Sequence, residues 1–186
     1  MIFKEKTLDS EYVFRGKLIN VRRDRVTTVN GESIREIVEH ADGVVIAALK
    51  PNGMMLMERQ FRNPVQGVVF EAPAGKIDPG EEPEHAAARE LREETGYTAG
   101  SLRFLTKNYP SVGFSDELLY TFLATDLTSG KRDLDENEAI DIEEYSIDEL
   151  TRMAENGEIS DGKTLVAILM VRRLIDTGEL NGYLKD

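Results

Sequence analysis

Residues 75–97 of this 186-residue chain read GKIDPGEEPEHAAARELREETGY. Pro83 suits the first position of a helix, Gly96 suits the position just after its end, and no helix breaker lies between them. Ahead of the helix, Gly75 and Gly80 would let a loop turn sharply, because glycine adopts backbone angles that other residues avoid. The segment therefore predicts a tight loop followed by a helix.

The predicted helix ends in a cluster of carboxylates. Glu90, Glu93 and Glu94 share one helical face because side chains three and four residues apart are neighbours. Like charges at this spacing cost about 0.2–0.5 kcal/mol per pair, and the helix dipole disfavours anions in the last turn. Arg89 can offset part of this cost, and Leu91 is the only large apolar residue nearby. A solvated acidic face is one interpretation, and a site for a hard divalent cation such as Mg²⁺ is the other.

Composition excludes several classes of function. Hydrophobic residues make up 40% and charged residues 31%, a balance typical of one globular domain with at most a small appended subdomain. There is no cysteine, which excludes disulfides and thiolate chemistry, and two histidines disfavour a zinc site. The formal charge of −12 argues against nonspecific binding to nucleic acid or anionic membranes.

Targeting signals are not evident in the sequence. The opening residues MIFKEKTLDS have no apolar core, and no apolar run reaches the roughly 18 residues of a membrane-spanning helix. We therefore expect a cytoplasmic protein with neither a signal peptide nor a membrane span.

Short apolar runs separated by turn residues indicate strands along most of the chain. The strongest hairpin signal is Asn30-Gly31, which lies between β-branched runs. Residues 26–38 are predicted to fold back at Asn30-Gly31, and further strands are predicted at residues 12–21, 43–49, 54–60, 67–72, 118–123 and 140–145. Beyond the central helix, helices are predicted at residues 147–156 and 162–176, and residues 126–138 are predicted to form an acidic loop. This order predicts the α+β class, with a mixed β-sheet flanked by helices and an N-terminal antiparallel strand segment.

The carboxylate helix also carries a family resemblance. The pattern Gly75-x5-Glu81-x7-Arg89-Glu90-Leu91-x-Glu93-Glu94-x-Gly96-Tyr97 resembles the Nudix box, a signature of hydrolases that act on nucleoside diphosphates linked to another moiety. The flanking motifs are similar to those of the ADP-ribose pyrophosphatase branch: Arg35-Glu36-x-Val38-x-His40, Glu58-Arg59-Gln60-Phe61-Arg62, Glu71-x-Pro73-Ala74-Gly75-Lys76 and Gly113-Phe114-Ser115-Asp116-Glu117. Two departures are Tyr97, where the box has an aliphatic residue, and Val112, where the branch has proline.

The resemblance implies an architecture for the chain. It implies an α/β/α Nudix sandwich over residues 41–186 and a strand-rich segment over residues 1–40 that forms a homodimer. The sequence by itself shows only the extra strand-rich segment.

The resemblance further implies a metal site and a set of catalytic residues. The metal would be Mg²⁺, with Mn²⁺ as the alternative, and its ligands would be the Ala74 carbonyl, Glu90, Glu94 and Glu138. Arg89 would orient the glutamates, and Glu93 would be a further catalytic residue. Glu136, in the acidic loop, is the candidate general base, and a merely solvated acidic loop is the alternative interpretation.

Substrate-binding residues also follow from the resemblance. Arg35 and Arg62 match positions that hold the diphosphate or the terminal ribose, although both could be ordinary strand-surface arginines. Phe14, or Tyr12 beside it, could stack on adenine or could instead belong to the core. Glu117 lies in a matching motif and is assigned to substrate binding.

Three functional hypotheses are compatible with these features. The first is Mg²⁺-dependent hydrolysis of ADP-ribose to AMP and ribose 5-phosphate. The second keeps the mechanism and changes the substrate to another nucleoside diphosphate sugar, such as GDP-mannose. The third is a noncatalytic sensor of nucleotide sugars, against which the complete set of box glutamates argues. The expected partners are the substrate and a second copy of the chain, with no nucleic acid and no membrane.

Overall fold

The computed structural model describes residues 2–134 and 139–185 of the chain. The strands in this part of the chain are β1 (Thr7–Arg15), β2 (Ile19–Thr28), β3 (Gly31–His40), β4 (Gly43–Ala48), β5 (Met54–Arg62), β6 (Gly67–Glu71), β7 (Ala74–Lys76), β8 (Tyr97–Asn108), β9 (Leu119–Ser129) and β10 (Ile140–Ser146). The helices are α1 (Pro83–Glu90), α2 (Ile147–Glu155) and α3 (Gly162–Asp176), with a 3₁₀ turn at Asn63–Val65 and a π-helical segment at Leu91–Thr95. The predicted α+β class is confirmed.

The chain divides into two compact units. The first comprises the residues up to Asp42 together with Asn108–Leu118. Its antiparallel sheet has the order β1-β2-β3. Strands β2 and β3 pair along their whole lengths on either side of Asn30-Gly31, so the predicted hairpin is confirmed.

The single strand predicted at residues 12–21 is wrong, because the chain turns between β1 and β2. The Gly16 N–H donates to the Ile19 carbonyl over 2.9 Å. A Cβ added at Gly16 would lie 2.6 Å from the Phe14 ring and 2.9 Å from the Ile19 oxygen. Glycine is therefore required by close approach at this turn, a requirement that the sequence pattern does not show.

The second unit comprises Gly43–Lys107 and the residues from Leu119 onward. It contains two sheets, of order β7-β4-β9-β8 and β10-β5-β6. Strand β4 runs parallel to β9 and antiparallel to β7, whereas β5 is antiparallel to both of its neighbours. The predicted mixed sheet is thus present in this unit. The sequence does not predict β8, whose residues YTAGSLRFLTKN lack regular alternation.

Strand β4 lies at the centre of the second unit and is buried along its whole length. Its alternate side chains enter two apolar clusters because successive strand residues point to opposite faces. Val45 and Ala47 join the cluster with α2 and α3. Val44 and Ile46 join the cluster with α1. Helices therefore cover both faces of the sheet, as the α/β/α sandwich implied by the resemblance requires.

Helix α1 begins at Pro83, as predicted, but its α-helical part ends at Glu90. A π-helical segment follows, and helical structure ends at Gly96, whose φ of 77° lies in the left-handed region. Two alanines of α1 and Leu91 are fully buried. These residues form a narrow apolar face, through which α1 packs against β4.

The two helices predicted near the end of the chain are confirmed as α2 and α3. Both helices have a side-chain N-cap. The Glu149 N–H donates to the Ser146 side chain, and the Thr164 N–H donates to the Asp161 side chain. Within residues 2–134 and 139–185, no helix combines the length and apolar content needed to cross a bilayer.

Candidate active site

The Glu90 carboxylate lies against the backbone of β7. A Cβ added at Gly75 would come closer than 3.0 Å to the carboxyl carbon and both carboxylate oxygens of Glu90. Gly75 therefore makes room for this carboxylate, and the prediction that it serves a sharp turn is wrong. Gly80 does serve the turn ahead of α1, since its φ is 83°.

The Glu94 carboxylate reaches the neighbouring residue of the same strand. Its side chain is buried, with the residue only 6% exposed, and its Oε2 accepts a hydrogen bond from the Ala74 N–H over 3.0 Å. Since Ala74 and Gly75 are adjacent, Glu90 and Glu94 meet consecutive residues of β7. The π-helical segment Leu91–Thr95 contains Glu94 and buries it.

Arg89 joins the glutamates of the box into one network. Its Nε and Nη2 donate to the two oxygens of Glu81 over 3.0 and 2.9 Å, and its Nη1 donates to Glu90 over 2.8 Å and Glu93 over 3.1 Å. Nη2 also donates to the Lys76 carbonyl. The hydrogen bond to Glu81 and the other carboxylates raise the pKa of Arg89, although burial opposes them. The structure thus brings Arg89, Glu90 and Glu93 together.

Glu58, in β5, is a buried acid next to this group. It is 2% exposed, lies opposite Glu71 in the sheet and shares a hydrogen bond with Glu94. Burial raises the pKa of Glu58 to about 7, and the negative charge of Glu71 adds to this shift while Glu94, Arg132 and Arg62 oppose it. No role was predicted for Glu58 from the sequence. An acid directly following the apolar run Met54–Met57 was the available signal.

Arg62 lies at the edge of the same carboxylate group. Its Nε and Nη2 donate to the two oxygens of Glu71 over 2.6 and 2.9 Å, and Lys163 also bonds to Glu71. Burial by itself would raise the pKa of Glu71, but the partners Arg62 and Lys163 lower it overall. The hydrogen bonds to Glu71 are the main reason why the pKa of Arg62 is raised, and the charge of Glu94 adds to the rise while burial opposes it. A cation therefore stands beside the box carboxylates, held in place by Glu71.

Arg132 joins the described residues on either side of residues 135–138, in the acidic loop, to the end of the box. Its Nε donates to the Glu94 carbonyl over 2.7 Å and its Nη2 to the Ile140 carbonyl over 2.8 Å. The Asp133 N–H donates to the Glu93 carbonyl over 3.1 Å. The described flanks of the loop are thus anchored at the π-helical segment. Two predicted site residues lie outside the described residues: Glu136 and Glu138.

The other predicted substrate-binding residues lie in the first unit, each with a different neighbour. Arg35 donates from Nε to Glu5 over 3.0 Å. Glu117 lies 3.3 Å from the His40 Nδ1. Phe14 is 53% exposed, so the alternative that it is a core aromatic is wrong.

The oxygen atoms that β7 and the box bring together are of the kind that a hard divalent cation binds. Such ions take oxygen ligands, and the Ala74 backbone, Glu90 and Glu94 supply oxygens on adjoining residues. The space that Gly75 leaves for Glu90 is a further sign that this carboxylate is held at a particular place. Within the described part of the chain, no three acidic or histidine side chains form a ready metal cluster. The described side chains therefore account for part of a ligand set.

Comparisons with known proteins show the family to which the chain belongs. Residues 39–167 match the NUDIX domain, and residues 5–38 match the nucleoside diphosphate sugar hydrolase N-terminal domain. The chain is 43% identical to the ADP-ribose pyrophosphatase of Bacillus subtilis (strain 168), covering 89% of this chain and 91% of that protein. It is 32% identical to the GDP-mannose pyrophosphatase of Yersinia enterocolitica, covering 83% and 82% of the two chains. A crystal structure of an ADP compounds hydrolase has the same fold, with a TM-score of 0.85, 24% identity and coverage of 96% and 98%.

The fold and the box together define a hydrolase of a class that generally uses a divalent metal ion. The NUDIX match spans more than half of the chain, so the chain belongs to the Nudix family. The resemblance of residues 75–97 to the Nudix box is thereby confirmed, and the protein is a Nudix hydrolase.

Proposed function

We propose that this enzyme hydrolyses the diphosphate of ADP-ribose to AMP and ribose 5-phosphate with Mg²⁺ as cofactor. The observation that carries the proposal is the placement of Glu90 and Glu94 on consecutive residues of β7. The relative named ADP-ribose pyrophosphatase, at 43% identity over most of both chains, supports the choice of substrate.

The proposed metal ligands are the Ala74 carbonyl, Glu90, Glu94 and Glu138. Mg²⁺, or Mn²⁺ in its place, would neutralise phosphate oxygens and stabilise the charge that develops as the diphosphate bond breaks. Arg89 holds the Glu90 carboxylate through Nη1, so its part is to fix the ligand rather than to touch substrate. Glu93, the other proposed catalytic carboxylate, is held between Arg89 and Arg92.

Hydrolysis adds one water across the diphosphate. The water oxygen bonds to one phosphorus, the bond from that phosphorus to the bridging oxygen breaks, and one water proton passes to a base. We assign the base to Glu136, which must come within about 3 Å of the water. The anchoring of both described flanks of its loop by Arg132, next to Glu94, supports this assignment.

Arg62 is the proposed contact to the substrate phosphates in the second unit. A guanidinium group has five N–H donors, and the hydrogen bonds to Glu71 use Nε and Nη2. The Arg62 side chain is 44% exposed, so the remaining donors can reach a ligand. Arg35 keeps its proposed role in holding the diphosphate or the terminal ribose, Phe14 its role in stacking on adenine, and Glu117 its assignment to substrate binding.

The test is product analysis by chromatography after incubation of the protein with ADP-ribose and Mg²⁺. We expect AMP and ribose 5-phosphate from the wild type and no turnover from Glu94→Gln. The matched control is Glu84→Gln, which removes a carboxylate from the exposed first turn of the same helix and should retain activity. Tight binding of ADP-ribose without turnover by the wild type would overturn the proposal in favour of the sensor hypothesis.

A second substrate, GDP-mannose, is favoured by one specific feature. Val112 replaces the proline of the ADP-ribose pyrophosphatase branch, and a relative at 32% identity is a GDP-mannose pyrophosphatase. Comparison of kcat/KM for ADP-ribose, GDP-mannose and UDP-glucose separates the two candidates. A higher value for GDP-mannose than for ADP-ribose would make it the preferred substrate.

We also propose a homodimer formed by residues 1–40, with residues 41–186 as the hydrolase domain. Every residue of β1 is exposed, including the apolar Leu8 and Val13, and exposed apolar patches mark interaction surfaces. Light scattering should give twice the chain mass, and Val13→Lys should lower it where Thr7→Lys on the same strand does not. We propose a cytoplasmic location and, because of the −12 charge, no nucleic-acid or membrane partner.

A further inference from the structure

Lys163, in the first turn of α3, is a cation that the proposed reaction leaves without a role. We propose that Lys163 is a positioning residue, which fixes the Glu71 carboxylate from one side so that Glu71 can hold the Arg62 guanidinium ready for the substrate diphosphate. This inference rests on the proposed function in one respect, the assignment of Arg62 as the contact to the phosphates.

The first turn of α3 is fastened to the chain directly after β6. Thr164 is fully buried, and its Oγ1 accepts a hydrogen bond from the Ala72 N–H over 2.8 Å. The same Oγ1 donates to the Asp161 Oδ2 over 2.6 Å, and Asp161 also accepts the Thr164 N–H over 3.1 Å. Because Ala72 follows Glu71 in sequence, this turn of α3 is held in place relative to the Glu71 backbone.

The Lys163 ammonium group lies between two carboxylates. Its Nζ donates to the Asp161 Oδ2 over 3.0 Å and also to the Glu71 Oε2. The side chain of Lys163 is 17% exposed and that of Glu71 only 4%, so the bond between them is largely shielded from water. Shielding strengthens the bond, because solvent is what weakens ion pairs at a protein surface. Lys163 therefore holds one oxygen of Glu71 from the side of α3.

Glu71 passes this constraint to Arg62 on the neighbouring strand. Arg62 pairs with Gly67 and Glu71 pairs with Glu58, so the Arg62 side chain extends along the sheet to reach its partner. Its Nε and Nη2 donate to the two oxygens of Glu71, and such a planar fork fixes the orientation of the guanidinium group. Because a long, 44% exposed side chain otherwise loses rotamer freedom when a ligand binds, a fixed partner favours binding of a phosphate.

Stability alone does not explain the arrangement of these three side chains. Buried ion pairs gain little over apolar residues of similar size, because the charged groups lose their hydration. Lys163 is itself poorly placed to bind a phosphate, since two of its three N–H donors are used by carboxylates and its side chain is less exposed than that of Arg62. Orientation of Arg62 explains why a cation stands behind Glu71.

The experiment compares kcat and KM for ADP-ribose in Lys163→Met, Arg62→Met and the double variant. A contact made in both the ground state and the transition state affects KM and not kcat. We expect Lys163→Met to raise KM about tenfold and to keep kcat within about threefold of the wild type. A merely structural role would instead lower the active fraction, and hence the apparent kcat, without moving KM. The matched control is Arg173→Met, which removes an exposed cation from the same helix and should change neither constant.

The double variant tests whether Lys163 acts through Arg62. In the Arg62→Met background, Lys163→Met should change KM by less than about twofold, because the effects of neighbours in one network are not additive. An undiminished effect in that background would overturn the inference, since Lys163 would then act on the substrate directly through its charge.

Arg62→Met separates failure of this inference from failure of the proposed function. If Arg62→Met raises KM but Lys163→Met does not, the positioning role alone is overturned. If Arg62→Met also leaves KM unchanged, the contact to the phosphates fails and the inference fails with it, while turnover of ADP-ribose still stands. If the wild type does not turn over ADP-ribose, the proposed function fails, and calorimetric affinities for ADP-ribose replace KM in the same comparison. Circular dichroism checks folding, and Lys163→Leu replaces the methionine variant if that variant does not fold.

Discussion

Replacement of Gly75 by alanine tests whether the position of the Glu90 carboxylate controls catalysis. The added Cβ would lie closer than 3.0 Å to three atoms of that carboxylate, whereas ordinary contacts begin at 3.4 Å. To restore ordinary contact distances, the carboxylate must move by roughly 1 Å or rotate away from β7. Misplacement on this scale is enough to cost activity. Since the obstructed atoms are the far end of a flexible side chain, we expect the fold to survive.

The expected loss of kcat/KM is about 100-fold, because a displacement of roughly 1 Å in a catalytic arrangement costs about that much. This loss corresponds to about 2.7 kcal/mol of activation free energy. The assay couples hydrolysis of ADP-ribose to alkaline phosphatase, which releases phosphate from AMP and ribose 5-phosphate but not from the intact diphosphate. Thermal unfolding, measured in parallel, should change little.

The matched control is Gly182→Ala, because a Cβ added there meets nothing within 4 Å. It should keep both activity and stability. A Gly75→Ala enzyme with kcat/KM within threefold of the wild type would refute the reasoning, since the carboxylate could then move without consequence. A loss of activity that only follows unfolding would refute it as well.

Three further predictions concern charged side chains around the site. Arg89→Lys loses the planar pairing with Glu81 and should lower kcat about 10–100-fold, and an equally large rise in the KM for ADP-ribose would contradict its orienting role. Arg132→Gln should lower kcat about tenfold and weaken Mn²⁺ binding, because the loop that it anchors carries both the proposed base Glu136 and the proposed ligand Glu138, and unchanged kcat in steady-state assays would argue against this anchoring. Glu71→Gln should lower the free energy of unfolding by about 2–3 kcal/mol at pH 7. Because the folded-state pKa of Glu71 is lowered from 4.5, its stabilisation is present above that pH and is lost as pH falls further, so urea unfolding should show the two proteins converging at acid pH.

Local signals in the sequence predicted much of the fold. The hairpin at Asn30-Gly31 and the start of α1 at Pro83 depend on backbone preferences of residues adjacent in sequence, and the structure confirms both. The turn at Gly16 was missed because its glycine is required by contact with Phe14 rather than by a positive φ. Patterns of neighbouring residues report such local preferences but not close approaches in space.

At the candidate site, too, the sequence predicts what depends on local spacing but not what depends on tertiary packing. The sequence could place Glu90 and Glu94 on one helix, since three- and four-residue spacing determines that. It could not show that Gly75 serves Glu90 rather than a turn, because this depends on how β7 packs against the helix end. Glu58 lies 36 positions before Glu94, so their proximity depends on the tertiary packing of the chain, which no local pattern reports.

The charge of the protein explains why Arg62 is held as firmly as it is. A chain of formal charge −12 repels an anionic diphosphate, so a cation at the site must stay in place between catalytic cycles. Glu71 orients Arg62 through two parallel hydrogen bonds, and it is itself kept ionised by Lys163 as well as Arg62. Lys163 is in turn paired with Asp161 over 3.0 Å, so the two cations and the two carboxylates of this group balance in charge. A substrate phosphate would therefore meet the exposed part of the fixed Arg62 guanidinium rather than a net positive charge.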